Sequence, residues 1–299
     1  GRSTSSISSL SIKIDKRIIM QFINLKRRTT PALIVSCIAV VLVVLLASCG
    51  SSKSSVDVSG VQQAEQAAVP IIIVNKEIDM TDLQDGGSLM GGDGVGGFMQ
   101  RLLDDEAFDL SPMADLLRSK TFNVYADRLP PAVLPEEQVI RTERYENFSL
   151  LDNESSDDRM QRFNGLVAPD GYKRYRLGGQ GDAIVSRQEN MFDAVPDGTD
   201  ALLFVSAGYA MVEDTPLFYS FIPFVDVDRA YIESTVRIEM MDENGDTIMK
   251  VQQVSLSDGH LNTIGGLSMN PDKIQQLCIE STEAAVAKTD RVIQEELEG

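Results

Sequence analysis

Short runs of β-branched residues and longer stretches of helical apolar spacing alternate along this chain, and together they predict a sheet covered by helices. Residues 69–74, VPIIIV, are a continuous apolar run with Pro70 at its entrance, the pattern of a strand buried on both faces. Over 98–117 the apolar positions Leu102, Leu103, Ala107, Leu110, Ala114 and Leu117 recur near the helical period. They are interrupted at Ser111-Pro112, an N-cap and a first-turn proline, so two helices or one interrupted helix are expected. Residues 121–125, TFNVY, alternate polar and apolar and predict a second strand, after which a charged connection marked by Pro and Gly runs to Gly181. A short helix is expected over 183–194, stopped by Pro196-Asp197-Gly198, and a second buried strand over 200–211.

The alternation is clearest further on. Val236, Ile238 and Met240 alternate with Thr235, Arg237 and Glu239, and the Asn244-Gly245 turn leads into 247–256, which predicts a β-hairpin with one buried and one wet face. Asn270-Pro271-Asp272 then opens a helix running to about Leu297. Its stripe is Ile274, Leu277, Cys278, Ser281, Ala285, Lys288, Val292 and Ile293, with Glu280, Glu283, Asp290 and Glu295 outward. The order predicts an α/β (α+β) fold: a mixed β-sheet of about five strands with packed helices, a β-hairpin and a long C-terminal amphipathic helix.

One apolar stretch belongs to no fold. Lys26-Arg27-Arg28 precedes an apolar run over 31–47, and Leu46-Ala47-Ser48-Cys49-Gly50 follows, the basic n-region, h-region and small-residue cleavage point of an export signal. These residues resemble the lipobox of bacterial lipoproteins. The resemblance implies cleavage between Ser48 and Cys49 and a thioether-linked diacylglycerol on Cys49; an uncleaved signal anchor is the alternative. Met20 is read as the start of the signal, residues 1–48 as removed, 49–69 as a lipidated, small and polar tether, and 70–299 as a single globular envelope domain. As a flexible coil such a tether would span about 25 Å on average and about 70 Å when fully extended.

Composition sharpens this picture. The chain carries 27 Lys+Arg and 45 Asp+Glu; residues 1–48 hold seven of the former and one of the latter, so the chain from Cys49 retains 20 against 44, a net charge of −24. Such a chain repels nucleic acid and anionic lipid headgroups. Of the three cysteines only Cys278 is left once Cys37 departs with the signal and Cys49 carries lipid, so no intrachain disulfide is expected. Cys278 reads as a small core residue.

Little in the sequence points to catalysis. His260, the one histidine, sits in the turn-like Asp258-Gly259-His260 and reads as solvated. Gly92, Gly94 and Gly97 satisfy G-x-G-x-x-G, but nearly twenty residues separate them from the preceding strand and Asp93 would oppose a phosphate, so a flexible loop is expected. Asp152, Glu154, Asp157 and Asp158 read as a solvated acidic loop, and DENGD as a turn, because the twelfth position of a calcium loop would be Gln253. No cofactor and no metal site are expected. Phe218, Tyr219, Phe221 and Phe224 cluster between and just beyond Pro216 and Pro223, and they are the candidate partner-binding residues.

The strand DALLFVSAGYA, the ENGDTIMK hairpin and the closing helix after Asn270-Pro271 resemble the periplasmic domain of curli-secretion and penicillin-binding-protein-activator lipoproteins. That resemblance implies an anchored assembly module facing the periplasm. The family's secretion members add long amphipathic hairpins, whereas 126–181 shows no alternating apolar strand of membrane length, so no pore is expected. The expectation is a membrane-anchored lipoprotein of the cell envelope, on the periplasmic side of the outer membrane, with the inner membrane and the cell surface left open. It would bind an envelope protein or a second copy of itself; the alternative is a carboxylate-dependent cell-wall hydrolase.

Overall fold

The computed structural model describes residues 52–80, 94–149, 165–175, 189–214, 229–262 and 270–298. Residues 50–299 belong to one compact unit. Its strands are β1 (Lys53–Val56), β2 (Gln66–Asp79), β3 (Ala132–Val133), β4 (Leu166–Val167), β5 (Ala201–Asp214), β6 (Arg229–Asp242), β7 (Thr247–Leu256) and β8 (Leu261–Asn262). Its helices are α1 (Val58–Gln63), α2 (Gly94–Asp104), α3 (Ser111–Lys120), α4 (Glu136–Val139), α5 (Glu143–Asn147) and α6 (Pro271–Glu298). The strands form one eight-stranded sheet in the order β1-β7-β6-β5-β2-β3, with β4 on β2 and β8 on β6. The fold is thus the expected mixed α+β arrangement, closed by a long C-terminal helix.

Three long strands carry it. β5 and β6 pair antiparallel along their whole length, from Ala201 with Asp242 to Asp214 with Arg229, and β2 lies parallel to β5 on the other side. Ile71, Ile72, Val74, Ala201, Leu202, Leu203 and Val205 are all fully buried, as runs without alternation require of strands covered on both faces. Asp200 clamps the start of this parallel pair. Its carboxylate accepts the backbone N–H groups of Glu65 and Gln66, each at 2.9 Å, and its own N–H donates to the Gln66 carbonyl at 3.0 Å.

The register sorts side chains onto two faces. Tyr209 and Ser234 share the face under α6, where both hydroxyls meet Thr282 Oγ1, at 2.9 and 3.2 Å, and Thr282 in turn donates to the Cys278 carbonyl at 2.7 Å. Ala207, Val205 and Leu203 continue that face on β5, opposite Val236, Ile238 and Met240 on β6 and Gln253, Val251 and Met249 on β7. The α6 stripe from Ile274 through Leu277, Cys278, Ser281 and Ala285 to Ile293 is buried, joined by Thr282, Val286 and Thr289; Lys288 is instead exposed, with Nζ on the Val254 carbonyl at 2.9 Å. α3 touches α6, and Gln275 of α6 accepts the Asp109 N–H at 3.0 Å.

Two stretches depart from expectation. Residues 53–69 are not a tether: β1 pairs with β7, α1 follows, and β2 begins at Gln66. An edge strand needs only backbone pairing, so small polar residues without an apolar period serve as well as any. Asp57 caps α1 by accepting the N–H groups of Ser59 and Gly60, and Val61 is fully buried. Gly60 is required by packing, since a Cβ there would lie 2.9 Å from Ile248 Cγ2. The second departure is Thr121–Tyr125, expected as a strand, which extends α3 as a π-helical turn. Thr121 donates to the Leu117 carbonyl at 2.7 Å and Tyr125 is fully buried, so the alternating pattern there reflects helix burial. Of the helix expected over 183–194, the described part, Glu189–Ala194, is a 3-10 turn.

Candidate interaction face

The sheet face turned away from α6 buries Leu202, Phe204, Met241 and Val254 and is small or polar only over the second half of β5 and its partners on β6. On β5 it carries Ser206, Gly208 and Ala210, all half-buried, at every second position; β6 contributes Arg237, Thr235 and Glu233 opposite them. Among the described residues, a Cβ added to Gly208 would meet nothing within 4 Å. On the β2 side the pairing with β5 shifts register between Val74 and Ile78, beside the same position. The result is a row of small residues on β5 flanked by charged and polar residues on β6.

An ion pair stiffens that flank. Arg237 and Glu239 are two residues apart on β6 and so share the face, where the guanidinium donates to the carboxylate. Glu239 also accepts the Thr247 hydroxyl at 3.1 Å across the hairpin. The wet position expected for Glu239 is therefore wrong, since only 8% of it is exposed. A carboxylate this enclosed persists because a guanidinium and a hydroxyl answer it. Lys53 on β1 sits opposite Gln252 and Lys250 on β7 opposite Ser55, which places both lysines on this face toward the sheet edge.

Other titratable groups are held by the core. Burial against apolar surroundings pushes the Cys278 thiol and the Tyr209 hydroxyl well up, so both stay protonated near neutrality. This assigns Cys278 the packing role expected for it. Lys76, near the C-terminal end of β2, lies 5.1 Å from the Phe108 ring centroid; partial burial lowers its ammonium, with Asp109 opposing the shift. Asp109 is itself held below the ordinary carboxylate value by the Ser111 N–H, which it accepts at 2.9 Å. His260 stacks obliquely on Tyr231, centroids 5.7 Å apart. Among the described residues no three His, Cys, Asp or Glu side chains gather as metal ligands would.

The residues singled out in the sequence distribute unevenly. Ser48 and Cys49 lie outside the described residues, as do Gly92, the four acids of 152–158, and Phe218, Tyr219, Phe221 and Phe224. The aromatic segment joins Asp214 to Arg229, which are register partners at the end of the β5–β6 ladder. This row itself escaped prediction, although its signal was present as Ser206-x-Gly208-x-Ala210, small residues at period two inside an apolar strand. No family model, no curated protein and no solved structure matches the chain.

Proposed function

We propose that this chain is a membrane-anchored lipoprotein of the bacterial cell envelope, tethered through Cys49 on the periplasmic side of the outer membrane, whose domain acts as a protein-interaction or assembly module. Its kinship in this reading is with the curli-secretion and penicillin-binding-protein-activator lipoproteins. The observation that carries the interaction role is the open row Ser206-Gly208-Ala210 beside the charged flank of β6. Small residues on a rigid sheet let a partner's backbone approach closely, and the charges flanking them set its register. The aromatics Phe218, Tyr219, Phe221 and Phe224 would add the apolar anchors.

The test is photocrosslinking in intact envelopes with a crosslinkable residue at position 208, paired with Gly208→Trp. Gly208→Trp should abolish a specific crosslinked band from a neighbouring position such as Ser206, whereas Gly208→Ala, whose Cβ meets nothing within 4 Å among the described residues, should leave both unfolding and the band unchanged. Capture that survives Gly208→Trp would remove the face from the reading. Loss of capture in Phe221→Ser/Phe224→Ser at unchanged stability would assign the anchors.

A further inference from the structure

An asparagine followed by glycine can close on itself, because a glycine nitrogen with no side chain beside it reaches the asparagine carboxamide carbon unhindered. Two such pairs occur in this chain, Asn164-Gly165 and Asn244-Gly245. Asn164 lies outside the described residues, whereas the second pair stands in the turn between β6 and β7, with Asn244 exposed to water. Asp242 holds that turn shut. Its carboxylate Oδ1 accepts the N–H groups of Asn244 at 3.0 Å and Asp246 at 2.8 Å, while Oδ2 accepts from Asn244 Nδ2 at 3.2 Å. The Asp242 carbonyl accepts the Gly245 N–H at 3.0 Å, and the Asp242 N–H donates to the Asp246 carbonyl at 2.9 Å. Gly245, at a φ of 81°, fits this closed turn because it carries no Cβ. The closed turn therefore blocks the reaction twice. The attacking N–H is occupied, with the acids Asp242, Glu243 and Asp246 around it to disfavour its anion, and the carboxamide is pinned by its nitrogen.

We propose that Asn244 is a site of spontaneous deamidation gated by the Asp242 carboxylate, shut in the folded hairpin and reactive whenever the turn opens. In the open turn hydroxide takes the Gly245 amide proton as that nitrogen bonds to Asn244 Cγ. The Cγ–Nδ2 bond then breaks, and the departing nitrogen takes a proton from water and leaves as ammonia. A second water adds to either carbonyl of the resulting succinimide and opens the ring, leaving aspartate or isoaspartate at 244. Water and hydroxide are the only co-reactants. Either product replaces a donor to Asp242 with a negative charge beside three others, and isoaspartate also lengthens the backbone inside the turn that Asp242 and Asp246 close. The turn does not shut again as before. The modification thus records how long each molecule has spent with its hairpin tip open.

The experiment incubates the full chain at mildly alkaline pH, folded and in guanidinium chloride, and follows the tryptic peptides Ile238–Lys250 and Phe163–Lys173 by mass. Conversion adds one mass unit, and isoaspartate is identified by enzymatic methylation. In the folded chain Asn244 should convert more than about tenfold more slowly than in denaturant, where Asn244 and Asn164 should convert alike. Asp242→Ala, held below its own unfolding transition, should speed conversion of Asn244 about tenfold, the change in open fraction that one charge-assisted hydrogen bond maintains. Asp242→Asn, which keeps an oxygen acceptor for the same N–H groups, should fall between the two. Equal rates at 244 in folded and denatured chain overturn the gate. Rates in Asp242→Ala and Asp242→Asn equal to that of the parent overturn the part given to the Asp242 carboxylate. No mass gain at 244 in denaturant, under conditions that convert Asn164, overturns the site itself.

Discussion

Removing the Glu239 carboxylate should cost far more than its place in an alternating hairpin suggests. Its side chain is 10% exposed and that of Arg237 25%, so Glu239→Ala strands a guanidinium in a largely dehydrated site and takes an acceptor from Thr247. Breaking a fully buried pair from one side costs about 3–5 kcal/mol. The quarter exposure of Arg237 lets water recover part of that, which leaves about 2–3 kcal/mol, or a fall in melting temperature of about 4–12 °C for a unit of this size. Replacing both partners together, Arg237→Met with Glu239→Met, should be close to neutral because neither charge is then left alone. Denaturant unfolding of residues 50–299, read as a double-mutant cycle, measures the coupling directly. Glu243 in the exposed turn is the control, and a cost for Glu239→Ala no larger than for Glu243→Ala, below about 0.5 kcal/mol, would refute the pairing as a structural element.

Four further outcomes follow from the same geometry. Cys49→Ala should abolish incorporation of labelled fatty acid and leave the longer precursor on a gel; unchanged labelling would end the lipoprotein reading. Ile238→Asp buries an unpaired charge under α6 and should cost more than about 4 kcal/mol in thermal unfolding, against less than about 1 for Ile238→Val. Thr282→Val leaves the buried Tyr209 and Ser234 hydroxyls short of a partner and should cost about 1–3 kcal/mol, part of which Tyr209→Phe should restore in the double variant. Asp109 has a folded pKa below its ordinary 3.8, so the stability it supplies is complete above that value and is lost as pH falls through the lower one. In Asp109→Asn that acid limb should disappear from the pH profile of unfolding, while the profile above pH 5 keeps its shape.

How much of this molecule was legible in its sequence depended on whether burial left a period. The hairpin and α6 announced themselves because each has one buried face, and α2 and α3 by their apolar spacing around Ser111-Pro112. β2 and the first half of β5, residues 201–205, were legible for the opposite reason: strands covered on both faces lose alternation and become runs. β1 left no such trace. An edge strand owes its place to backbone hydrogen bonds, which Lys53, Ser54 and Ser55 supply as well as any residues, so a polar stretch was read as a tether. Thr121–Tyr125 misled differently, since over five residues an alternation fits a strand and a tightly wound helical turn alike. Glu239 was misplaced because alternation places a side chain on a face without saying how enclosed that face is. At the site the sequence offered what is chemically conspicuous, cysteine, histidine and clustered aromatics, whereas an open row of small residues is conspicuous only once the strands on either side are in register.

The clamp of Asp200 on Glu65 and Gln66 joins residues 135 and 134 positions apart, and β1 pairs with a strand nearly two hundred residues further on. A chain that emerges from its N-terminus first therefore presents VPIIIV long before β5 exists to cover it. The local meander of β5, β6 and β7 can form through connections of fourteen and four residues, but β2 must wait and then insert parallel to β5, which makes assembly of the centre of the sheet the slow step. During that interval the uncharged, β-branched run Ile71-Ile72-Ile73-Val74 stands without its neighbour, an unpaired strand edge that another chain could join, with Pro70 limiting the pairing at its entrance. The protein consequently depends on being kept unpaired until its last hundred residues arrive, and its yield should be governed by how long that wait lasts.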